Sequence, residues 1–207
     1  MSELVKDVKW IEWSIVSRPL RDQAVSGDLH VVEFFDSGVL LGVIDGVGHG
    51  EEAQAAAGIA ARILKQHAGE SVISLTRTCH DALVPTRGAV MTLASVDILE
   101  DTVTWIGVGN VEGRLVRADR GASYPCEHIL LRGGLLGLQL PAVQATLMPI
   151  TRGDLLVFAT DGIRPGFEVG IPFSESCEKI SQRIMSRYCK GTDDALVLVA
   201  RYLGNEL

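Results

Sequence analysis

The chain is predicted to fold as an α+β protein, two packed and mostly antiparallel β-sheets flanked by helices, on three observations. The apolar runs are of strand length and several lack polar alternation, so those strands are buried on both faces. The one alanine-rich amphipathic segment presents a face of small residues, which lets a helix lie close against a sheet. The order of elements is a run of strands, two helices, more strands, one helix and a last strand, without the regular strand–helix alternation of a parallel sheet.

The elements follow in chain order. Residues 10–17 (WIEWSIVS) read as a strand, as do 29–35 and 39–44, the latter two separated by the turn Asp36-Ser37-Gly38. The run Val39-Leu40-Leu41-Gly42-Val43-Ile44 should be central, and it ends at Asp45. In EEAQAAAGIAARILKQH, Ala53, Ala56, Ala57, Ala60, Ala61 and Leu64 share one helical face, with Glu51 and Glu52 in the first turn where the helix dipole favours negative charge. A second helix is expected over 71–84, with Val72, Leu75, Cys79, Ala82 and Leu83 inward, ending before Pro85. Strands then fall at 89–98, 102–108, 112–118, 128–131, 143–149 and 155–160, with Glu100-Asp101 turning the first pair into a hairpin and Asp154 a hairpin residue before the last. A third helix is expected over 174–189, with Ser174 as N-cap and Cys177, Ile180, Ile184 and Tyr188 on one face. ALVLVARYL closes the chain as another buried strand.

With 207 residues, 47% of them hydrophobic, the chain (1–207) is expected to be one domain with a sizeable core. A net charge of −7 argues against nucleic acid, whose phosphates need a basic surface. The four cysteines Cys79, Cys126, Cys177 and Cys189 make no CxxC and no zinc spacing with histidine, so they read as reduced thiols. MSELVKDVKW has no apolar signal-peptide core and no stretch is long enough to span a membrane, so a cytoplasmic protein without a membrane partner is expected.

Four aspartates stand in turns at strand edges: Asp28 in VSGDLHVV, Asp45 in LLGVIDGVGHG, Asp161 in LLVFATDGI and Asp193 in GTDDALVLVA. Oxygen donors of this kind suit hard divalent cations such as Mg²⁺ and Mn²⁺, which are held by a few carboxylates and water. No single cluster could make such a site, so the fold must gather the strand ends. Taken singly, Asp45-Gly46, Asp161-Gly162 and Gly27-Asp28 are each also explained as a plain turn.

Six blocks in order, SGD (26–28), VIDGVGHG (43–50), IGVGN (106–110), GGLLG (133–137), RGDLLVFATDGI (152–163) and DDALVLVA (193–200), resemble the PPM-type (type 2C-like) metal-dependent serine/threonine phosphatases, in particular their short bacterial SpoIIE/RsbX branch. The resemblance implies a single phosphatase domain using two Mn²⁺ or Mg²⁺ ions. It implies that Asp45 bridges the two, with the Gly46 carbonyl on one of them, that Asp161 and Asp193 complete the first ion's shell, and that Asp28 lies beside the second. Asp45 and Asp161 would then be catalytic through the ions, and a water would attack phosphorus directly with no phosphoenzyme. Gly109-Asn110 and Gly133-Gly134 read as structural turns outside the site, and Asp194 as a cap or a solvated carboxylate beside Asp193.

The chain departs from the larger enzymes of that family in places. Their histidine directly after Asp-Gly is replaced by Val47, and His49 is the candidate general acid toward the leaving serine or threonine oxygen, or else a helix-start or solvent-facing residue. Leu196 stands where the last motif usually has Thr. Arg18 and Arg21 precede the SGD block and are the candidates for phosphate contact, against an ordinary surface role for either. The loop 162–173 is short, which would leave the site open to a protein surface. The expected function is hydrolysis of phosphoserine or phosphothreonine on a regulatory protein, a STAS-domain or stressosome component, resetting a stress signal. The alternatives are a phosphatase of an anti-anti-sigma factor and a non-catalytic phosphoprotein-binding regulator.

Overall fold

The computed structural model describes residues 10–119, 121–122 and 124–204. Two sheets lie face to face. One carries β1 (Ile11–Arg18), β11 (Ala195–Tyr202), β10 (Leu155–Ala159), β6 (Glu112–Val116) and β7 (Cys126–His128), in that spatial order. The other carries β2 (Asp28–Phe35), β3 (Gly38–Gly46), β4 (Ala89–Asp97), β5 (Thr102–Val108) and β8 (Leu131–Arg132), with β9 (Thr146–Pro149) also on β5. Every pairing is antiparallel except β5 with β8. Helices α1 (Glu51–Gln66) and α2 (Val72–Leu83) cover the outer face of the second sheet, and α3 (Cys177–Tyr188) that of the first.

The layers follow from the two-residue period of a strand, which sends alternate side chains to opposite faces. On β3, Val39, Leu41 and Val43 enter the layer between the sheets, whereas Leu40 and Ile44 pack under α1 and α2. On β11, Leu196, Leu198 and Ala200 face the same central layer, whereas Val197 and Val199 meet Cys177, Ile180 and Ile184 of α3. Strands buried on both faces need apolar residues at every position, which is why the periodicity in these runs is lost. The expected fold class, α-β-β-α, is the observed one.

Three local expectations are corrected. The N-cap of α3 is Ser176, whose Oγ accepts from Lys179 N, so the helix begins three residues after Ser174. The expected strand 128–131 is two short strands in different sheets: the chain leaves β7, buries Ile129 in the central layer and joins β5 at Leu131. Asp154 is more than a hairpin residue. Its carboxylate is fully buried and accepts from Ala118 N at 2.8 Å, Thr151 N at 3.0 Å, Thr151 Oγ1 at 3.1 Å and the Arg117 guanidinium at 2.9 Å.

Candidate metal centre

The four aspartates come from both sheets. Asp28 opens β2 directly opposite Asp45 near the end of β3. Asp161 follows β10, and Asp193 lies in the turn that leads into β11. Both sheets therefore deliver carboxylates to one end of the sandwich. Gly46 makes this possible on its side: a Cβ there would stand 2.1 Å from the Ala53 carbonyl oxygen, so only glycine lets the first turn of α1 sit on the end of β3. The Gly46 N–H donates to the Gly27 carbonyl at 3.1 Å, which ties the Asp28 turn to the Asp45 turn.

Asp45, Asp161 and Asp193 line a cleft of about 480 Å³ with Val47, Gly48, His49, Val90, Gly109, Asn110, Gly133 and Gly134. Asp28 lies deeper, only 3% exposed, and accepts from Thr160 Oγ1 at 2.8 Å. Thr160 in turn accepts from Leu196 N at 2.9 Å, so one hydroxyl links the two sheets beneath the cleft. Burial, then the neighbouring Asp45 charge, raises the Asp28 carboxyl to about 8 against the Thr160 hydrogen bond. Burial, then Asp161 and Asp193, raises Asp45 to about 7. Asp161 is raised as well, by burial and then Asp193, with Lys190 opposing. Carboxyls that resist ionisation because of one another are stabilised by a cation placed among them.

His49 is exposed on the cleft wall. Arg18 and Arg21 are not in this cleft. They line a neighbouring one of about 360 Å³ with Pro19 and Gly191, and Asp193 is the wall the two clefts share. Asp194 points inward, 4% exposed, and accepts from Leu20 N at 2.6 Å and Gly27 N at 2.7 Å, so it fastens the segment that carries the arginines and the Asp28 turn. The loop after Asp161 packs Ile163, Phe167 and Ile171 into the core beside α3, with Phe167 under the Arg114 guanidinium at 5.2 Å.

The turns expected to lie outside the site belong to its walls. Asn110 Nδ2 donates to Asp161 Oδ2 at 2.8 Å, and Gly133 and Gly134 line the same cleft, with Gly109 N donating to the Arg132 carbonyl at 2.9 Å between the two turns. Asn110 and Thr160 were legible only as members of the IGVGN and FATDG blocks, because their partners lie 51 and 132 residues away in sequence.

Among the described residues no three His, Cys, Asp or Glu side chains stand together as a finished metal shell. The donor set nevertheless fits a hard divalent cation. It is carboxylate oxygen throughout, its members suppress one another's ionisation, and Mg²⁺ or Mn²⁺ is held by one or two such groups plus water.

Two sheets covered by helices, with aspartates from both at one end, make a PP2C-type domain. The family model for Stage II sporulation protein E (SpoIIE) matches residues 36–203, and the chain belongs to that family. Phosphoserine phosphatase RsbX of Bacillus subtilis (strain 168) is 22% identical over 86% of this chain and 88% of its own. A crystal structure of RsbX in complex with magnesium superposes with a TM-score of 0.87 at 21% identity, over 98% of this chain and 100% of that one. A chain solved in work on the bacterial stressosome as a modular system controlling secondary messenger signalling superposes with a TM-score of 0.83 at 28% identity, over 92% and 99%.

Proposed function

We propose that this protein is a metal-dependent protein phosphatase that hydrolyses phosphoserine or phosphothreonine on a STAS-domain or stressosome regulator in the cytoplasm, resetting a stress signal. The observation that carries the reading is the convergence of Asp28, Asp45, Asp161 and Asp193 at one end of the sandwich, with three of the four carboxyls raised by burial and by one another. RsbX, a phosphoserine phosphatase and a magnesium-bound fold relative, supports it. No helix among the described residues is long and apolar enough to cross a membrane.

Asp45, Asp161 and Asp193, with the Gly46 carbonyl, would hold one ion, and Asp45 with Asp28 the other. Bound there, two Mn²⁺ or Mg²⁺ ions would supply charge neutralisation for the phosphoryl group and an activated water for in-line attack. The chain's own residues do the positioning. Asn110 fixes the carboxylate of Asp161, and Thr160 fixes that of Asp28. His49, exposed on the wall, would be the group that gives a proton to the leaving oxygen. Arg18 and Arg21, which share a pocket with Asp193, would meet anionic groups of the incoming phosphoprotein.

The test is release of phosphate from a phosphorylated STAS-domain protein and from an aryl phosphate, with Mn²⁺, with EDTA, and with Asp45→Ala. Mn²⁺-dependent turnover of the phosphoprotein, lost with EDTA and reduced at least a hundredfold in Asp45→Ala, is expected. Phosphoprotein that stays intact with Mn²⁺ present sinks the reading.

A further inference from the structure

The turn that follows β8 forms one wall of the cleft and is built more rigidly than its surface position requires. Leu135 N donates to the Gln139 carbonyl at 2.9 Å, and Gln139 N returns a bond to Leu135 at 2.8 Å. Leu136 exchanges two backbone bonds with Ala89 at the start of β4, at 2.9 and 3.1 Å. The next residue is held from a third direction: Gly137 N donates to Nδ1 of His80 on α2 at 3.0 Å. An acceptor at Nδ1 places the neutral ring's proton on Nε2. The far end of α2 is itself anchored to the cleft, because Thr86 bonds back to the Leu83 carbonyl and forward to Gly88 N, and the Gly88 carbonyl accepts from Val47 N.

What this scaffold presents to the cleft is main chain. The N–H groups of Gly133 and Gly134 donate to no acceptor among the described residues. Gly133 is exposed and faces open space, since a Cβ there would meet nothing within 4 Å. In the same turn Leu138, whose N–H donates to the Leu135 carbonyl, stands 79% exposed, a large apolar side chain presented to the surface. Two free donors on cleft-lining glycines without side chains, next to a hydrogen-bonded turn that carries an exposed apolar residue, match an extended polypeptide, whose carbonyls accept and whose side chains need apolar contact. The carboxylates on the floor, by contrast, concern the phosphoryl group.

We propose that the Gly133–Gly134 wall binds the main chain of the segment bearing the phosphorylated residue, and that His80 is a positioning residue that fixes this wall through Gly137. The inference rests on the phosphatase reading above and assigns it a polypeptide-binding wall. His80 touches neither the substrate nor the aspartates. Its effect passes through one hydrogen bond, so it falls on recognition of polypeptide and leaves small aryl phosphates alone.

The experiment compares wild type, His80→Leu, His80→Asn and Gly133→Ala. Each is assayed on a phosphoserine peptide and on p-nitrophenyl phosphate with Mn²⁺, with Mn²⁺ affinity by calorimetry and exchange of the Gly137 amide by NMR. In His80→Leu the Gly137 amide exchanges at least tenfold faster, KM for the peptide rises about tenfold, and KM for p-nitrophenyl phosphate and Mn²⁺ affinity hold. His80→Asn, whose Oδ1 can replace Nδ1 as acceptor, restores both exchange and peptide KM. Gly133→Ala, whose added methyl meets nothing within 4 Å in the protein, raises peptide KM with Gly137 exchange unchanged. Unchanged Gly137 exchange in His80→Leu shows there is no latch and overturns the proposal. Faster exchange with unchanged peptide KM, a KM that rises equally for both substrates, or weakened Mn²⁺ binding overturns it too. Wild type that turns over neither of these nor a phosphorylated STAS-domain protein overturns the phosphatase reading and the wall's role with it, and Gly137 exchange then reports on the latch by itself.

Discussion

Asp45 carries the most consequence of any single side chain. It stands opposite Asp28 in the register of β2 and β3 and lines the same cleft as Asp161 and Asp193. Raised carboxyl pKa values have a definite thermodynamic sign. Asp45 is raised to about 7 and Asp28 to about 8 from 3.8. The folded protein therefore holds these protons more tightly than the unfolded chain does. Below the unfolded value both states are protonated and no cost arises. The cost accrues as pH climbs from about 4 through 7 and 8, so the metal-free protein loses stability over that window. Asp45→Asn removes one of the repelling charges. Without metal, at pH 8, it is expected to stabilise the fold by on the order of 2 kcal/mol, and by almost nothing at pH 4. Urea unfolding with EDTA at the two pH values decides this. Destabilisation at pH 8 would show that the carboxylate serves the fold through contacts other than repulsion.

At the scale of elements, the start of α3 separates two serines that the sequence pattern does not. Ser176 Oγ accepts from Lys179 N and Ser174 lies outside the helix. Ser176→Ala is expected to cost about 1 kcal/mol and Ser174→Ala a few tenths at most, read as shifts in the urea midpoint at constant slope. Equal costs would place the cap elsewhere. The strands and helices themselves were legible because each obeys a local period: the alanine face of α1 and the unbroken apolar runs of β3 and β11 admit little else. What was not legible depended on partners distant in sequence. Nothing in Ile129-Leu130-Leu131 says that the chain changes sheets there. Nothing in RGD says that Asp154 is buried under Arg117 and Ala118 N. The four aspartates stood out because a carboxylate at the end of an apolar strand is conspicuous. The Asn110 contact to Asp161, the Thr160 contact to Asp28 and the His80 contact to Gly137 each join residues at least 51 positions apart, which no local pattern records.

For the whole molecule, the site is a seam. Asp28 and Asp45 belong to one sheet, Asp161 and Asp193 to the loops of the other, and among the described residues the Thr160 hydroxyl, the Asp194 carboxylate and the Asn110 amide link the sheets at that end. Cations held between aspartates of both sheets, as proposed, would bind only the folded arrangement and would add stability by mass action. At about a hundred times the dissociation constant the gain is ~2.7 kcal/mol. For a domain of this size that corresponds to a rise in melting temperature of about 5–10 °C. Protons compete for the same oxygens. At pH 6 Asp28 and Asp45 hold theirs, at about 8 and 7, and at pH 8 fewer must be displaced. The Mn²⁺-induced rise is therefore expected to be larger at pH 8 than at pH 6 and to disappear in Asp45→Ala. Calorimetric melting with Mn²⁺ and with EDTA at both pH values checks it. Equal melting temperatures throughout would mean that the aspartates at the seam do not hold the ions.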